Sequence, residues 1–437
     1  MSAFLGDVDA EKQPPMTIPL RHFVVGVGLA VLGGGVAFLP ESSALAHVHL
    51  LLAGWICVTI MGAMTQFVPV WSGTTLHSRR LATAQLALVT GGLLGFVASV
   101  QAGALRWTLP FGLLMAAGFW AFVYNVARTL PRGGLDATER HFAIALGFFL
   151  VVPALGVLLA ADLATPLLPR WGLARPAVRA AHVTLAVFGA VLTTVLGALY
   201  QLGGMFTQSE RGRVDDALCR VETATYPTGV AVLAGGRLIG HAAVARVGAA
   251  ALLVGLAAFL AFFARRLVGA RVDPSPVLRR YAVAAVAFAL WTVATAPAWL
   301  SAPLAPSSLF GAPGTAHLLL FGGVGFVVLG TLYHVVPFIV WVHRYSDQLG
   351  FERVPLVDDL YDDRLARADL VACVVGVGGL VGGDLVGLPT TLPGGVAVVG
   401  FALFGANVVS VLENHGPHSL SELVLGATFR RLVGGLR

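Results

Sequence analysis

Charge is scarce in this sequence. Charged residues make up 11% of the 437 positions, and Lys12 is the only lysine, so the net charge of +6 comes almost wholly from arginine. The arginines are spread over many loops and do not form one basic patch, which argues against nucleic acid as a partner. Soluble globular chains contain about 25% charged residues. The composition therefore excludes an ordinary soluble protein.

Cysteine is also scarce. The sequence holds Cys57, Cys219 and Cys373, and no two of them have CxxC spacing. We therefore predict neither a disulfide framework nor a thiolate metal site. Residues 1–17 lack the basic and then apolar order of a signal peptide, so we interpret them as a short cytoplasmic tail.

Long apolar runs are what the sequence has in abundance, with 57% hydrophobic residues. A run of about 20 apolar residues can cross a bilayer as a helix, which pairs its own backbone groups. We therefore predict an all-α integral membrane protein with about twelve transmembrane helices. They are expected at 22–40, 46–71, 81–102, 107–129, 140–161, 178–206, 225–243, 245–264, 279–302, 314–341, 368–388 and 391–412. The boundary between the seventh and eighth is the least distinct, because Gly235, Gly236, Arg237 and Gly240 interrupt the run.

Arginine placement predicts the orientation, because cytoplasmic loops carry the excess of Lys and Arg. Most arginines follow even-numbered spans, from Arg79 and Arg80 to Arg364 and Arg367. The loops after odd-numbered spans hold Arg106, Arg170, Arg175, Arg179, Arg237 and Arg246. We therefore expect a multi-pass protein of the plasma membrane with both termini in the cytoplasm, and Arg430, Arg431 and Arg437 on that side.

Three of the spans resemble one another. Aligning the second, sixth and tenth spans on Gly62, Gly197 and Gly330 brings Gln66, Gln201 and His334 into one column and Pro69, Gly204 and Pro337 into another. His47 then shares a column with His182, and His49 with His317. Self-similarity at nearly equal intervals is typical of repeat architectures. We predict three pseudo-repeats of four helices around a pseudo-threefold axis.

The domain organisation follows from these repeats. A single twelve-helix membrane domain is expected at 18–412, with repeats at about 18–135, 136–272 and 273–412. A cytoplasmic N-terminal tail would occupy 1–17, and a cytoplasmic C-terminal tail 413–437.

Histidine marks the beginning of each of the three aligned spans. His47, His49, His182 and His317 would share one depth near the outer face, where neutral imidazoles can hold a haem iron or a metal such as copper or non-haem iron. Residues two apart on a helix point roughly 200° apart. His47 and His49 can therefore serve two sites on opposite sides of one helix, shared with the sixth and tenth spans. Gly54, Gly189 and Gly322 would let a flat macrocycle approach the backbone. The alternative is that these histidines are interfacial groups satisfied by carbonyls and water.

A second polar set lies about 25 Å deeper at 1.5 Å per residue. It contains Thr65, Gln66, Tyr200, Gln201, Tyr333 and His334. This inner polar ring could form a proton path or a second binding site, and the alternative is hydrogen bonding between helices.

The remaining ionisable residues receive no role. His22, His77, His141, His241, His343, His415 and His418 fall in loops or at span ends. The nearest case to a charged residue within a predicted span is Asp384, which lies near the end of the eleventh. The sequence therefore does not predict a carboxylate-lined proton channel.

Twelve helices with histidine on the second, sixth and tenth resemble the catalytic subunit I of the haem–copper oxidase superfamily. The stretch from His47 and His49 through Gly54, Trp55 and Gly62 to Pro69 is similar to the His-x-His helix of C-type cytochrome c oxidases and nitric oxide reductases. The resemblance implies that His47 or His49, with His317, holds haem, and that His182 stands where a copper ligand is expected. The His-Val-His opening also resembles the NnrS-like family, haem membrane proteins linked to nitric oxide metabolism.

Two features depart from the oxidase pattern. The His-x-His lies on the second span, whereas the tenth has His317 with Thr315 in the other column. The seventh span contains no adjacent histidine pair, and His241 is its one histidine. An incomplete copper site puts full oxidase activity in doubt.

Two classes of function follow. The first is a membrane haem protein, with one or two haems of b type, that reduces or binds O2 or NO. Its electrons would come from a cytochrome or cupredoxin at the outer face, as in respiratory electron transport. The second is a secondary transporter, a class that is also built from repeated, Gly-broken spans. Transporters bind substrate near the bilayer midplane, whereas the histidines here gather near one face.

Overall fold

The computed structural model of the protein describes residues 15–39, 41–417, 419–420 and 422–423. These residues form helices and one isolated bridge between Leu349 and Glu352, without a strand among them. Most of the two expected tails lies outside the described residues, as do His418, Arg430, Arg431 and Arg437.

Twelve long helices follow one another in the described part of the chain. They are α1 (Thr17–Val36), α2 (Ala44–Ser72), α3 (Arg79–Gln101), α4 (Thr108–Thr129), α5 (Ala137–Ala164), α6 (Arg175–Thr207), α7 (Arg213–Leu238), α8 (Ala242–Val268), α9 (Pro276–Ser301), α10 (Leu318–Gln348), α11 (Asp363–Val386) and α12 (Thr391–His415). All except α7 are long and apolar enough to cross a membrane, which makes 11 candidate spans. By length and composition the chain is an all-α, multi-pass membrane protein.

Short connections join consecutive helices, and these helices pack against each other. The helix termini therefore gather at the two ends of one bundle. We call one end the histidine end, because α2 and α6 begin there with His47, His49 and His182, and His317 has helical backbone directly before Leu318, the first residue of α10. We call the other end the arginine-rich end. It holds the arginines around the starts of α3, α5 and α7, namely Arg79, Arg80, Arg140, Arg211, Arg213 and Arg220.

The seventh helix differs from its predicted position. We expected it at 225–243, but α7 covers Arg213–Leu238, and His241 lies beyond it as the N-cap of α8. Its first turns carry charges that have partners inside the protein, such as Asp215 with Arg265 at 2.8 Å. A hydropathy window cannot register such pairing. The separation of α7 from α8 was predicted correctly, and the chain turns at Gly240 with a φ of 68°.

Three helices contain a π-helical segment of 8 residues. The segments are Leu50–Cys57 in α2, Leu185–Leu192 in α6 and Leu318–Gly325 at the start of α10. Each begins at the same distance in sequence before the aligned glycine, which is Gly62, Gly197 or Gly330. π-Helical turns are rare and are often found at functional sites. The alignment made from residue types therefore coincides with an irregularity of the backbone.

Glycines allow neighbouring backbones to approach closely. A Cβ atom at Gly92 would lie 2.4 Å from the backbone nitrogen of Met115, which brings α3 against α4. A Cβ at Gly248 would lie 2.2 Å from the nitrogen of Leu233, between α8 and α7. A Cβ at Gly376 would lie 2.6 Å from the nitrogen of Ala397, between α11 and α12. Small residues at such crossings permit the van der Waals packing that holds membrane helices together.

The α7–α8 crossing can be tested with a pair of glycine variants. Gly248→Ala should lower the free energy of unfolding by about 1–3 kcal/mol, because the added methyl group overlaps backbone atoms that cannot move independently. Gly235→Ala in α7 is the matched control, since a Cβ there meets nothing within 4 Å. Thermal unfolding of the detergent-solubilised variants gives the comparison. Equal midpoints for the two variants would contradict the close approach.

Candidate functional site

A large apolar cavity lies at the histidine end, with a volume of about 550 Å³. Its walls come from α2, α4, α5 and α6, from Phe96 of α3, and from the loop that leads into α10. Cofactor sites in proteins have volumes of this order and mostly apolar walls with a few polar groups. His49 and His182 line the cavity from α2 and α6, respectively.

The four histidines at this end share one hydrogen-bonding pattern. The Nδ1–H groups of His47, His49 and His182 donate to backbone carbonyls, namely Gly33 at 2.8 Å, Leu45 at 2.8 Å and Val152 at 3.1 Å. His317 bonds through Nδ1 to the Asp384 carboxylate at 2.5 Å. Within the described residues, no hydrogen bond engages the Nε2 atom of any of the four. Metal-ligating histidines are held in this way, with one nitrogen bonded to a carbonyl or carboxylate and the other free.

The four histidines form two pairs on opposite sides of α2. His182 lies within electrostatic range of His49, and His317 within electrostatic range of His47. Because residues two apart on a helix diverge by roughly 200°, His47 and His49 face different neighbours. The histidines that share an alignment column are therefore not those that interact electrostatically.

Two arginines supply positive charge beside the cavity. Arg175 and Arg179, both in the first turns of α6, line it. Arg175 is fixed by Asp162 of α5 at 2.6 Å and by the Leu159 carbonyl at 3.1 Å. Arg179 is exposed, and no hydrogen bond or ion pair to another described residue engages it. The cavity thus combines apolar walls, two imidazoles and two guanidinium groups.

The loop wall of the cavity is held by a buried arginine. Arg237, at the end of α7, is 3% exposed and donates to the carbonyls of Pro303 at 3.1 Å and Ser308 at 3.1 Å. It also donates to the Thr184 hydroxyl at 2.8 Å and lies over the Trp299 ring. The loop residues Pro306, Ser307, Leu309 and Phe310 line the cavity. Sequence reasoning assigned Arg237 to an outer loop and missed this role.

The second histidine pair borders a zone filled by aromatic rings. The Trp55 ring lies 5.9 Å from Phe321 and 4.7 Å from Phe401, and Phe321 in turn lies 6.4 Å from His317. The buried indole N–H of Trp55 has no hydrogen-bond partner among the described residues. This zone joins α2, α10 and α12.

The three glycines expected beside a macrocycle lie inside the π-helical segments. A Cβ at Gly54 would meet Leu93 of α3 at 2.9 Å, one at Gly189 would meet Phe148 of α5 at 2.7 Å, and one at Gly322 would meet Ala287 of α9 at 3.0 Å. These glycines therefore accommodate side chains of neighbouring helices. Other small residues border the cavity, among them Ala53, Gly156, Ala186 and Ala190.

The residues of the expected inner polar ring have separate partners. Tyr200 donates to Glu222 of α7 at 2.9 Å, and Tyr333 bonds to Asp369 of α11. Thr65 bonds to the carbonyl of Gly62. The Gln66 side-chain oxygen is buried without a partner among the described residues. The His334 ring lies 4.8 Å from Phe206, and Gln201 is half-buried. Tyr200 and Tyr333 thus take part in hydrogen bonds between helices, which was the alternative interpretation.

Buried charges lie within helices where the sequence predicted none. Glu222 of α7 bonds to His141 of α5, and Arg280 of α9 bonds to Asp369 of α11. We assigned His141 no role and counted Arg280 among the arginines that follow even-numbered spans, because both fall near the limits of hydropathy windows. The one available signal was the apolar sequence that follows His141, Arg280 and Asp369, and the sequence around Glu222 offered none. That signal did not reveal which helix would supply the partner.

No three His, Cys, Asp or Glu side chains come together to hold a single metal ion in the described residues. The three cysteines are free and buried. A search for matching protein families and a search for matching characterised proteins both find none.

The role of Arg237 can be tested by substitution. Arg237→Gln should lower the free energy of unfolding by about 3 kcal/mol, because the carbonyls of the cavity loop lose buried charged donors. Arg246→Gln is the control, because Arg246 bonds to carbonyls of the same region but is exposed, and its loss should cost at most about 0.5 kcal/mol. Thermal unfolding in detergent measures both. A wild-type midpoint for Arg237→Gln would refute the assignment.

Proposed function

We propose that the chain is an integral membrane haem-binding protein that acts on O2 or NO, by reduction or by binding. The observation that carries this proposal is the pair of histidines, His49 and His182, that line one apolar cavity from two helices. Both have Nδ1 bonded to a backbone carbonyl, which leaves Nε2 available as a ligand.

The residues around the cavity fit a haem of b type. Apolar walls would accept the macrocycle, and His49 and His182 would ligate the iron. Arg175 and Arg179 would pair with the carboxylates of the porphyrin, because guanidinium groups match carboxylate geometry. A haem held there would supply one-electron transfer and binding of a diatomic gas. The protein would exclude water from the macrocycle and hold each imidazole in one orientation through its Nδ1–H.

The second pair, His47 and His317, supports a second haem or another metal centre, either copper or non-haem iron. The Asp384 carboxylate would orient His317 and strengthen it as a ligand. Two sites on opposite sides of α2 would allow electrons to pass between them. The donor would be a cytochrome or cupredoxin that docks at the histidine end.

We propose that twelve helices cross the membrane as three pseudo-repeats of four. Three features support this: the matching π-helical segments, the histidines at the starts of α2 and α6 and just before α10, and the partners of the aligned glycines. A Cβ at Gly62 would touch the Cβ of His22, one at Gly197 that of His141, and one at Gly330 that of Arg280. The charged turns of α7 would then lie among the other helices. Both termini are proposed to be cytoplasmic, in the plasma membrane.

We propose a relationship to subunit I of the haem–copper oxidases, with the NnrS-like haem proteins as the alternative. The relevant histidines lie on α2, on α6 and immediately before α10. No histidine lies in α7, so a copper site completed from the seventh helix is not part of the proposal. This difference favours a haem protein without full oxidase activity.

The absorption spectrum of the purified, haem-supplied protein tests the proposal. His49→Leu and His182→Leu should each lose most of the haem bound at the cavity, because each removes one ligand to the iron. Haem per protein is measured from the Soret band and by extraction. His77→Leu is the control, since His77 is exposed at the arginine-rich end and should leave the haem content unchanged. Absence of a Soret band in the wild type would overturn the haem proposal and favour the transporter. Full haem in both cavity variants would overturn the site.

The second site has its own prediction. Asp384→Asn should weaken ligand or metal binding at His317 by roughly 10–100-fold, because it removes the carboxylate that orients the imidazole. The haem and metal content of this variant would be compared with that of His317→Leu. An unchanged content in Asp384→Asn alongside a loss in His317→Leu would show that the carboxylate does not support the ligand.

A further inference from the structure

A buried cluster of three polar side chains lies near the arginine-rich end. The Nε2 atom of His141 in α5 is 2.9 Å from both carboxylate oxygens of Glu222 in α7. The Tyr200 hydroxyl of α6 donates to the same carboxylate at 2.9 Å. The side chains of His141 and Glu222 are 0% exposed. None of these residues belongs to the proposed haem site.

The hydrogen bonds indicate how many protons the pair holds. The Nδ1 atom of His141 lies 2.6 Å from the carbonyl oxygen of Ala137, which can only accept, so Nδ1 carries a proton. A bond between Nε2 and Glu222 then requires one further proton, on either the imidazole or the carboxyl group. Loss of this proton leaves a net negative charge in the bundle, and gain of another leaves a net positive one. The His141–Glu222 pair therefore holds one proton that either group can carry.

A cavity of about 490 Å³ leads from the arginine-rich end toward this cluster. It is lined by Ala137, Arg140, Arg211, Asp216, Cys219, Arg220, Thr223 and Ala224. The Thr223 hydroxyl lies in the cavity wall and also donates to Glu222 at 3.2 Å. Water in the cavity would thus be separated from the carboxylate by a single hydroxyl group, which can relay a proton by exchanging donor and acceptor roles.

The other described elements around the cluster bring aromatic rings and one buried arginine, Arg266 of α8, which lies 5.5 Å over the Phe262 ring and donates to the Ser209 carbonyl at 2.8 Å. From α8, the rings of Phe259 and Phe262 pack on Tyr200. Tyr226, one turn further along α7, donates to the Phe188 carbonyl at 2.7 Å. The charged groups near the cluster are the cavity residues, the stacked Arg266 and the buried Glu139, which accepts from the Ser72 hydroxyl. The charged cavity residues are Arg140, Arg211, Asp216 and Arg220, and Arg211 and Asp216 are paired at 2.6 Å.

Two similar clusters have a different chemistry. In one, the Nε2 atom of His22 in α1 lies 3.4 Å from the amide nitrogen of Gln85 in α3. An amide neither gains nor loses a proton. In the other, Asp369 pairs with Arg280 and accepts from the Tyr333 hydroxyl, and an arginine stays charged. Among these three clusters, only the one with His141 and Glu222 combines an imidazole with a carboxylate.

We propose that Glu222 and His141 form a proton-exchange site that is loaded from water at the arginine-rich end through Thr223. Ionisable residues inside membrane bundles commonly mark such proton relays. The step is a proton transfer alone: hydronium in the cavity gives a proton to the Thr223 oxygen and becomes water, the original Thr223 O–H bond breaks, and an O–H bond forms on Glu222, from which the proton can pass to His141. The same bonds break and form in reverse on release. The proposal does not depend on haem.

Infrared difference spectroscopy tests the site. Full-length protein in nanodiscs of phosphatidylcholine is compared at acidic and alkaline pH, and the spectrum of Glu222→Gln is subtracted from that of the wild type. Since Gln preserves the shape of Glu, the double difference should contain one titrating carboxyl or imidazole band. Glu413→Gln, an exposed carboxyl control, should leave that band intact. A double difference without such a band overturns the proposal.

The path to water is tested separately, so that misfolding of Glu222→Gln cannot decide the outcome. Thr223→Val should keep the band but slow its hydrogen–deuterium exchange at least several-fold. With Cys57 and Cys373 replaced by Ser, a small hydrophilic maleimide should label Cys219, which is 7% exposed, because this side chain lines the water-facing cavity. A variant that retains only Cys373 should resist the label, because Cys373 is 1% exposed. Wild-type exchange in Thr223→Val, or labelling of Cys219 no faster than Cys373, overturns the path.

Discussion

The low polarity of the membrane interior is the constraint on which the rest of this structure depends. A charged group that is buried in such a bundle has to find a partner there, because neither lipid nor bulk water can supply one. Arg280 is 0% exposed and bonds to Asp369. Arg237 is surrounded by carbonyl oxygens and one hydroxyl. Each of these contacts joins helices or loops that are far apart in sequence, so satisfying one charge also fixes the arrangement of its neighbours.

The same constraint explains the different uses of the two ends. At the histidine end, each of the four imidazoles gives Nδ1 to a carbonyl or carboxylate, and this leaves the other nitrogen available to a ligand. At the arginine-rich end, His141 has both ring nitrogens engaged within the bundle. One residue type thus supports two proposed functions, ligation of a metal and exchange of a proton, according to how many of its nitrogens the fold occupies.

Helices α2, α6 and α10 connect these two ends. Their π-helical segments lie between the histidines and the aligned glycines. The glycines Gly62, Gly197 and Gly330 let α1, α5 and α9 approach closely enough to bring His22, His141 and Arg280 into the bundle. If these groups arose by repetition, the scaffold was kept while its polar residues diverged. At similar positions the three clusters now differ. One pairs the imidazole of His22 with an amide, one pairs the imidazole of His141 with a carboxylate, and one pairs Arg280 with a carboxylate.

The sequence by itself determined the all-helical membrane class, the positions of eleven apolar spans and the histidines that gather at one end. These follow from composition and spacing, because a run of about 20 apolar residues has few alternatives to a spanning helix. The sequence did not locate the start of α7, since the charges in its first turns lower its hydropathy while their partners lie on other helices. Only the tertiary structure paired His49 with His182 and His47 with His317, and only it placed Glu222 beside His141. These pairings depend on how each helix is rotated and packed against its neighbours. Side-chain contacts across the whole bundle determine that rotation and packing.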